Sequence, residues 1–139
     1  MADILERVVV PVASREDART TCRALSDHAT GSVVAVYVVE KAGGAVDKAS
    51  VEQREEEGER IFDVVREELD GVDLETEIAY GTDVAETIFD VAEAVGATAI
   101  AFTPRGGSRW IQLLTGDVAL DLITGTDRPV IVLPDGAEE

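Results

Sequence analysis

Short runs of apolar residues recur along the chain and predict buried β-strands. Four runs are rich in Val, Ile or Ala and are mostly continuous rather than alternating: Arg7–Val12, Ser32–Val39, Thr98–Phe102 and Val130–Leu133. Continuous runs indicate strands that are covered on both faces, which is typical of a parallel sheet between layers of helices. A fifth segment, Leu74–Tyr80, alternates between apolar and polar residues. It predicts a strand with one wetter face, at an edge of the sheet.

Helical periodicity fills the segments between these runs. Four helices are predicted: Glu16–Ala29, Val51–Leu69, a third that opens at Asp83 and ends before Gly96, and a last one from Asp117 to about Gly125. The order β-α-β-α-β-α-β-α-β predicts one α/β domain over residues 1–139. Its expected architecture is a three-layer fold with an open, twisted, parallel five-stranded sheet and helices on both faces.

The topology also predicts where a ligand would bind. In open α/β sheets, ligands occupy the crevice at the carboxyl ends of the strands, where the winding reverses direction. In this chain, the segments that follow Val12, Val39 and Phe102 are expected to line that crevice.

The last predicted strand suggests a partner. Pro129 and Pro134 bracket Val130–Leu133, and proline is tolerated at a sheet edge or a strand start but not in a central strand. An apolar edge strand needs cover, and a homodimer that pairs this strand with its two-fold mate provides it. The alternative is that a loop of the same chain covers the edge.

The charge balance is strongly acidic. Lys and Arg total 12 residues against 29 Asp and Glu, the formal net charge is −17, and the only lysines are Lys41 and Lys48. This composition is typical of halophilic proteins, because at molar salt a Debye length of about 3 Å screens the repulsion between the charges. The alternative is an ordinary acidic protein of a low-salt organism. Nucleic acids and anionic membranes attract clustered cations, so the charge argues against both as direct partners.

Membrane insertion and secretion are not expected. No uninterrupted apolar run in the sequence approaches the roughly 20 residues of a membrane span. Residues Met1–Glu6 lack the positive start and the apolar middle of a signal peptide. We therefore expect a cytoplasmic protein.

The sequence lacks the motifs of common catalytic and metal sites. Cys22 is the only cysteine, which excludes an intramolecular disulfide and a thiolate metal cluster, and its place on a predicted apolar stripe favours a core role. His28, the only histidine, lies near a predicted helix end, where surface exposure explains it more simply than general-base chemistry. No zinc-protease, dithiol, nucleophile-elbow or complete P-loop motif occurs. We expect no catalytic residues and no resident metal.

The most informative motif follows the fourth predicted strand. It reads Thr103-Pro104-Arg105-Gly106, then nine residues, then Gly116-Asp117. It resembles the nucleotide loop of the universal stress protein family, whose ATP-binding members carry G-x2-G-x9-G-[S/T] between the fourth strand and the last helix. The resemblance implies a nucleotide crevice formed by the strand ends and this loop, namely Val12, Ala13, Val39, Thr103, Arg105, Gly106, Gly116, Asp117 and Val118.

Three positions depart from the ATP-binding pattern. Ala13 stands where those relatives carry an Asp towards the adenine end of the nucleotide, Thr103 replaces the first glycine, and Asp117 replaces the hydroxyl residue. Asp117 is expected to cap the last helix with its own carboxylate, which would occupy the N–H groups that hold a phosphate and repel the phosphate charge. Arg105 and Arg109 are either compensating cations or arginines that lie at the surface or pair with Asp117.

The resemblance implies a stress-response protein that commonly pairs through its last strand. We expect a regulatory or interaction module without catalytic turnover and without a tightly bound cofactor. One alternative is a sensor that binds ATP or AMP weakly through the remaining backbone contacts and hydrolyses ATP slowly. Another is an accessory subunit that binds a transporter or an enzyme through Trp110 and the acidic surface.

Overall fold

Strands and helices alternate along the chain as the apolar pattern predicts. The computed structural model describes residues 4–28, 30–40, 48–103 and 128–133. The elements in these ranges are β1 (Arg7–Pro11), α1 (Arg15–Ser26), β2 (Ser32–Glu40), α2 (Lys48–Glu68), β3 (Asp73–Gly81), α3 (Val84–Val95), β4 (Ala99–Phe102) and β5 (Val130–Val132). The predicted helix that begins at Asp117 lies outside the described residues.

The five strands form one parallel sheet in the order β3-β2-β1-β4-β5. The chain adds strands on one side of β1 and then, after α3, on the other side. The winding therefore reverses between β1 and β4. Among the described strands, β3 and β5 form the two edges, in agreement with the alternation of the first and the flanking proline of the second.

Apolar side chains fill both faces of the sheet. One face packs beneath α1 and α2, and its fully buried members include Val8, Val10, Val33, Ala35, Ala18, Cys22, Leu25, Ile61, Phe62 and Val65. The opposite face packs beneath α3, with Val9, Val34, Val36, Ile88, Ala92, Ile100 and Phe102 in its core. The continuous apolar runs of the central strands follow from this arrangement, because both sides of each strand are covered. The prediction of helices on both faces is confirmed.

Local capping signals set the ends of two helices. The Asp83 carboxylate accepts a hydrogen bond from the Glu86 N–H at 3.0 Å and caps the start of α3. Gly96 ends α3 in the left-handed conformation, with a φ of 68°. Ser14 caps α1, where its hydroxyl accepts from the Asp17 N–H at 3.0 Å.

Two helix boundaries differ from the prediction by more than one residue. α1 ends at Ser26 rather than at Ala29, and the Ser26 hydroxyl donates to the Arg23 carbonyl at 2.8 Å, a local bond that competes with helix continuation. α2 begins at Lys48 rather than at Val51 because its first turn precedes the apolar stripe that marks the rest of the helix. The strand boundaries agree with the prediction to within one residue.

Arginine–glutamate pairs join α1 and α2 at the surface. Arg15 lies 3.2 Å from Glu57, and Arg23 lies 3.3 Å from Glu68. α2 is the longest described helix, with 21 residues, and charged residues cover its outer face. Within the part of the chain that the structure describes, no helix has the length and apolarity needed to cross a membrane.

Candidate functional site

The carboxyl ends of β1 and β4 form the described part of the predicted crevice. The two strands are parallel neighbours, so the residues that follow them emerge at the same end of the sheet. Val12 is buried, and its N–H donates to the Val36 carbonyl at 2.9 Å, which continues the hydrogen-bond ladder past β1. Ala13 is half-buried, and Thr103 is completely buried.

A buried polar cluster connects these two strand ends. One oxygen of the Asp17 carboxylate accepts from the Ala13 backbone N–H at 2.8 Å, and the other accepts from the Thr21 hydroxyl at 3.4 Å. The Thr21 hydroxyl oxygen also lies 2.6 Å from that of Thr103. Asp17 is 1% exposed, and both threonines are 0% exposed. We call Asp17, Thr21 and Thr103 the carboxylate–hydroxyl cluster.

The start of α1 positions the cluster. Ser14 caps the helix and fixes its first turn directly after β1. Asp17 and Thr21 lie one turn apart, so their side chains emerge from the same face of α1. That face lies against the sheet. The carboxylate of Asp17 is therefore held between the end of β1 and the end of β4.

Burial controls the ionisation of Asp17. Removal from water raises the pKa of the Asp17 carboxyl from 3.8 to about 6, while the hydrogen bonds from Ala13 and Thr21, and the nearby Thr103 hydroxyl, oppose that rise. Burial also raises the pKa of the neighbouring Cys22 thiol to about 12, with further contributions from the charges of Glu68 and Asp17. At neutral pH, Asp17 thus carries a buried negative charge beside a protonated thiol.

The other predicted site residues fall into two groups. Val39 is buried in β2, three residues beyond the Val36–Pro11 pair that ends the register of β1, and it pairs with Tyr80 of β3. It does not join the carboxylate–hydroxyl cluster. The remaining predicted residues, Arg105, Gly106, Gly116, Asp117 and Val118, lie outside the described residues. Of the predicted site, the structure therefore places Val12, Ala13 and Thr103 at the ends of β1 and β4, and hydrogen bonds through the cluster connect Ala13 to Thr103.

Sequence reasoning missed the two residues that join Ala13 to Thr103, namely Asp17 and Thr21. Asp17 and Thr21 flank the apolar positions Ala18, Cys22 and Leu25, and all five side chains are buried on one face of α1. The sequence does contain one signal of a buried polar pair: a carboxylate and a hydroxyl group lie one helical turn apart beside an apolar stripe. From the motif, Thr103 is interpreted as a replacement for a loop glycine. In the structure its buried hydroxyl is a hydrogen-bond partner of Thr21.

A cavity of about 280 Å³ lies at the opposite end of the sheet, near the starts of β2 and β3. Its lining includes His28, Glu68, Asp70 and Asp73. The three carboxylates make it unsuitable for an anionic ligand. Across residues 4–28, 30–40, 48–103 and 128–133, no group of three or more His, Cys, Asp or Glu side chains is arranged to hold a metal ion.

Comparison with known proteins identifies the family. The model of the Universal stress protein family matches residues 5–134. The chain belongs to the universal stress protein family. No curated protein matches it.

Solved structures of universal stress proteins share its fold. The Archaeoglobus fulgidus universal stress protein in complex with dAMP is 22% identical, with a TM-score of 0.63 and coverage of 94% of this chain and 99% of that one. A family member from Burkholderia pseudomallei is 23% identical, with a TM-score of 0.67 over 96% and 99%. A universal stress protein in complex with cAMP is 15% identical, with a TM-score of 0.61 over 94% and 97%. At these identities the likeness concerns the fold of the universal stress protein domain.

Proposed function

We propose that this universal stress protein is a regulatory or interaction module of the stress response that neither holds ATP tightly at neutral pH nor catalyses a reaction. The observation that supports this function is the carboxylate–hydroxyl cluster. It uses polar groups at the ends of β1 and β4 for contacts within the protein, so these groups are not available to a nucleotide.

The hydrogen bonds of the cluster occupy donors that a phosphate needs. The Ala13 N–H donates to the Asp17 carboxylate at 2.8 Å, and the hydroxyl groups of Thr21 and Thr103 bond to each other. A threonine hydroxyl has a single proton to donate. A nucleotide at these strand ends would have to compete with a hydrogen bond inside the protein for each of these donors.

The negative charge of Asp17 also disfavours ATP binding. The ionised Asp17 carboxylate lies in an interior of low effective dielectric, where repulsion between like charges is stronger than in water. None of the ion pairs of the described residues includes Asp17. The negative charge at the strand ends therefore opposes the phosphates of ATP.

A second candidate function is a sensor that binds an adenine nucleotide weakly. It is favoured by the structural relatives described as complexes with dAMP and with cAMP. Those ligands carry fewer phosphate groups than ATP and meet less repulsion from a buried carboxylate. In this version, ATP hydrolysis is slow and AMP-like ligands bind better than ATP.

Isothermal titration calorimetry at neutral pH and molar salt separates these functions. The proposed module shows no saturable binding of ATP, whereas the sensor binds AMP, and both experiments use the full chain. A dissociation constant in the micromolar range for ATP would contradict the proposed function. Steady release of inorganic phosphate from ATP would contradict the absence of turnover.

A homodimer through the last strand completes the proposal. β5 forms an edge of the described sheet, Val130 and Ile131 are half-buried, and Val132 is 52% exposed. Pairing of Val130–Leu133 with the same segment of a second copy would cover this edge through an isologous contact. The cover by a loop of the same chain is the competing arrangement.

Light scattering coupled to size-exclusion chromatography tests the dimer. The wild-type chain is expected at twice its monomer mass, and Val132→Lys is expected to reduce it to the monomer. Ile4→Lys is the matched control, because Ile4 is equally exposed at 50% but lies outside β5. A wild-type monomer, or a Val132→Lys dimer, contradicts pairing through β5.

A further inference from the structure

The number of protons in the carboxylate–hydroxyl cluster fixes the direction of its hydrogen bonds. An ionised Asp17 carboxylate only accepts, so the Thr21 hydroxyl, 3.4 Å away, donates its one proton to it. The Thr21 oxygen, 2.6 Å from that of Thr103, then accepts from the Thr103 hydroxyl. Both O–H dipoles point from the end of β4 towards the carboxylate.

Protonation of Asp17 reverses this order. A carboxylic acid donates, so the Asp17 O–H can donate to Thr21, and Thr21 can donate its own proton to Thr103. The Thr103 hydroxyl is then free to donate at the end of β4. One full negative charge disappears and two O–H dipoles turn around, and both changes make the potential at the strand ends more positive.

The groups that face Asp17 do not mask this change. From β1 it meets the Ala13 N–H, from β4 the Thr103 hydroxyl, and from its own helix the Thr21 hydroxyl and the Cys22 thiol. Cys22 stays protonated because burial raises its pKa to about 12.

Apart from Asp17, the charged side chains in the first two turns of α1 pair with glutamates of α2 or are exposed. Among the described residues, Arg15 pairs with Glu57, and Arg19 lies 3.9 Å from Glu68. Glu16 is exposed in the first turn of α1. Glu68 contributes to the pKa of Cys22 but pairs with arginines, so Asp17 is the ionisable group whose charge changes within the cluster.

We infer that Asp17 is the specificity-determining residue of the crevice at the ends of β1 and β4: its carboxylate excludes anionic nucleotides, and its protonated form admits them. The inference rests on the proposed function, which places weak or absent ATP binding at neutral pH. It adds that the affinity of this crevice for an anionic nucleotide depends on whether the Asp17 carboxyl is protonated.

The titration of Asp17 falls in an accessible range. Its pKa of about 6 means that the carboxyl changes from mostly ionised to mostly protonated between about pH 7.5 and about pH 5.5. If only the protonated form accepts an anion, the apparent affinity follows the protonated fraction and rises about 20-fold over that interval.

Calorimetric titration with cyclic AMP and with adenosine, at molar salt and at both pH values, tests this inference. Cyclic AMP keeps one negative charge over the whole interval, and adenosine stays neutral. The expected result is about 20-fold tighter binding of cyclic AMP at the lower pH, with less than a two-fold change for adenosine. An equal change for both ligands, or no change for cyclic AMP, overturns the inference.

Two matched variants assign the effect to Asp17. In Asp17→Asn, cyclic AMP is expected to bind at the higher pH as tightly as it binds the wild type at the lower pH, without further pH dependence. Asp83→Asn makes the same substitution at an exposed helix cap and is expected to retain the wild-type pH dependence. Wild-type pH dependence in Asp17→Asn overturns the inference, and if that variant does not fold, the wild-type result alone decides.

The outcome for ATP is a separate test. Micromolar ATP binding by the wild type at the higher pH contradicts the proposed function, whatever the pH dependence of cyclic AMP is. Absence of any cyclic AMP binding at both pH values overturns the inference and leaves the proposed function in place.

Discussion

The two ends of the sheet each hold a charged side chain, and they hold it in opposite ways. At the amino end, Arg7 donates from Nε to the Val95 carbonyl at 2.7 Å, from Nη1 to the Ser32 hydroxyl at 3.0 Å, and from Nη2 to the Glu75 carboxylate at 3.2 Å. At the carboxyl end, Asp17 has hydrogen-bond donors around it but no ion pair among the described residues.

The two charged side chains therefore differ in what they do to stability. Arg7 links β1 to β2, β3 and α3, has an opposite charge within reach, and keeps 26% of its side chain exposed. Asp17 is buried, and its ionised form is disfavoured, as its raised pKa records. The amino end thus strengthens the fold, whereas the carboxyl end, where α/β sheets bind ligands, retains a charge that costs stability.

Neutralising Asp17 is expected to have the largest effect on stability. Because the folded-state pKa of about 6 exceeds the ordinary 3.8, the folded protein binds more protons than the unfolded chain between these values, and stability falls as the pH rises through them. Asp17→Asn should therefore raise the free energy of unfolding by up to about 3 kcal/mol above pH 7.

Urea unfolding of the two proteins across pH measures this difference. The gain should shrink as the pH falls through 6 and vanish near 3.8. A variant that is less stable than the wild type at neutral pH would contradict the account of the carboxyl end.

Removal of the Arg7 guanidinium is expected to have the next largest effect, with the opposite sign. Arg7→Met keeps the length of the stem but leaves the Val95 carbonyl and the Ser32 hydroxyl without this donor. We expect a loss of about 2 kcal/mol, since hydrogen bonds from charged groups contribute more than neutral ones and the contact with Glu75 is partly exposed. The loss should be the same at about pH 6 and about pH 8, and a strong pH dependence in thermal unfolding would break the contrast between the two ends.

Thr103→Val tests the hydroxyl part of the carboxylate–hydroxyl cluster. Valine keeps the shape of the side chain and removes the partner of the Thr21 hydroxyl at 2.6 Å. The expected loss is about 1 kcal/mol at neutral pH, where the ionised Asp17 benefits most from inward-pointing donors. Chemical denaturation provides the measurement, and a gain in stability would show that the hydroxyl contributes nothing to holding the charge.

Arg15→Gln is expected to have the smallest effect. The Arg15–Glu57 pair spans 3.2 Å, but 56% of the Arg15 side chain is exposed. Exposed pairs contribute less than about 1 kcal/mol, so we expect a change of about 0.5 kcal/mol or less in dilute buffer and none in molar salt. If Arg15→Gln lowered the free energy of unfolding as much as Arg7→Met, the lower exposure of Arg7 would not explain why its contacts stabilise the fold more.

The architecture was predictable because it depends on repeating patterns. The runs from Arg7 and from Ser32 are continuous because helices cover both faces of β1 and β2, and Leu74–Tyr80 alternates because β3 is an edge strand. Asp83 and Gly96 marked the ends of α3 through local chemistry. Such signals act within a few residues and can be read from the sequence.

The site was predictable only in outline. The position of the crevice followed from the topology, and Ala13 and Thr103 lie there, but their connection through Asp17 and Thr21 depends on contacts between residues as far apart as 21 and 103. The sequence of an amphipathic helix does not show which of its polar residues will be buried, because that depends on how the helix packs against the sheet. Gly31 shows the same limit: a Cβ there would lie 2.2 Å from the Glu6 carbonyl oxygen, a close approach between distant parts of the chain that the sequence does not reveal.

Carbon-detected NMR of the Asp17 carboxyl group in the wild-type protein, titrated from about pH 3 to about pH 8, measures the charge at the carboxyl end most directly. The account predicts a titration midpoint at about pH 6, well above the ordinary 3.8. A midpoint at or below 3.8 would show that the carboxylate is stabilised rather than strained by its surroundings, and would contradict both the contrast between the two ends and the role assigned to Asp17.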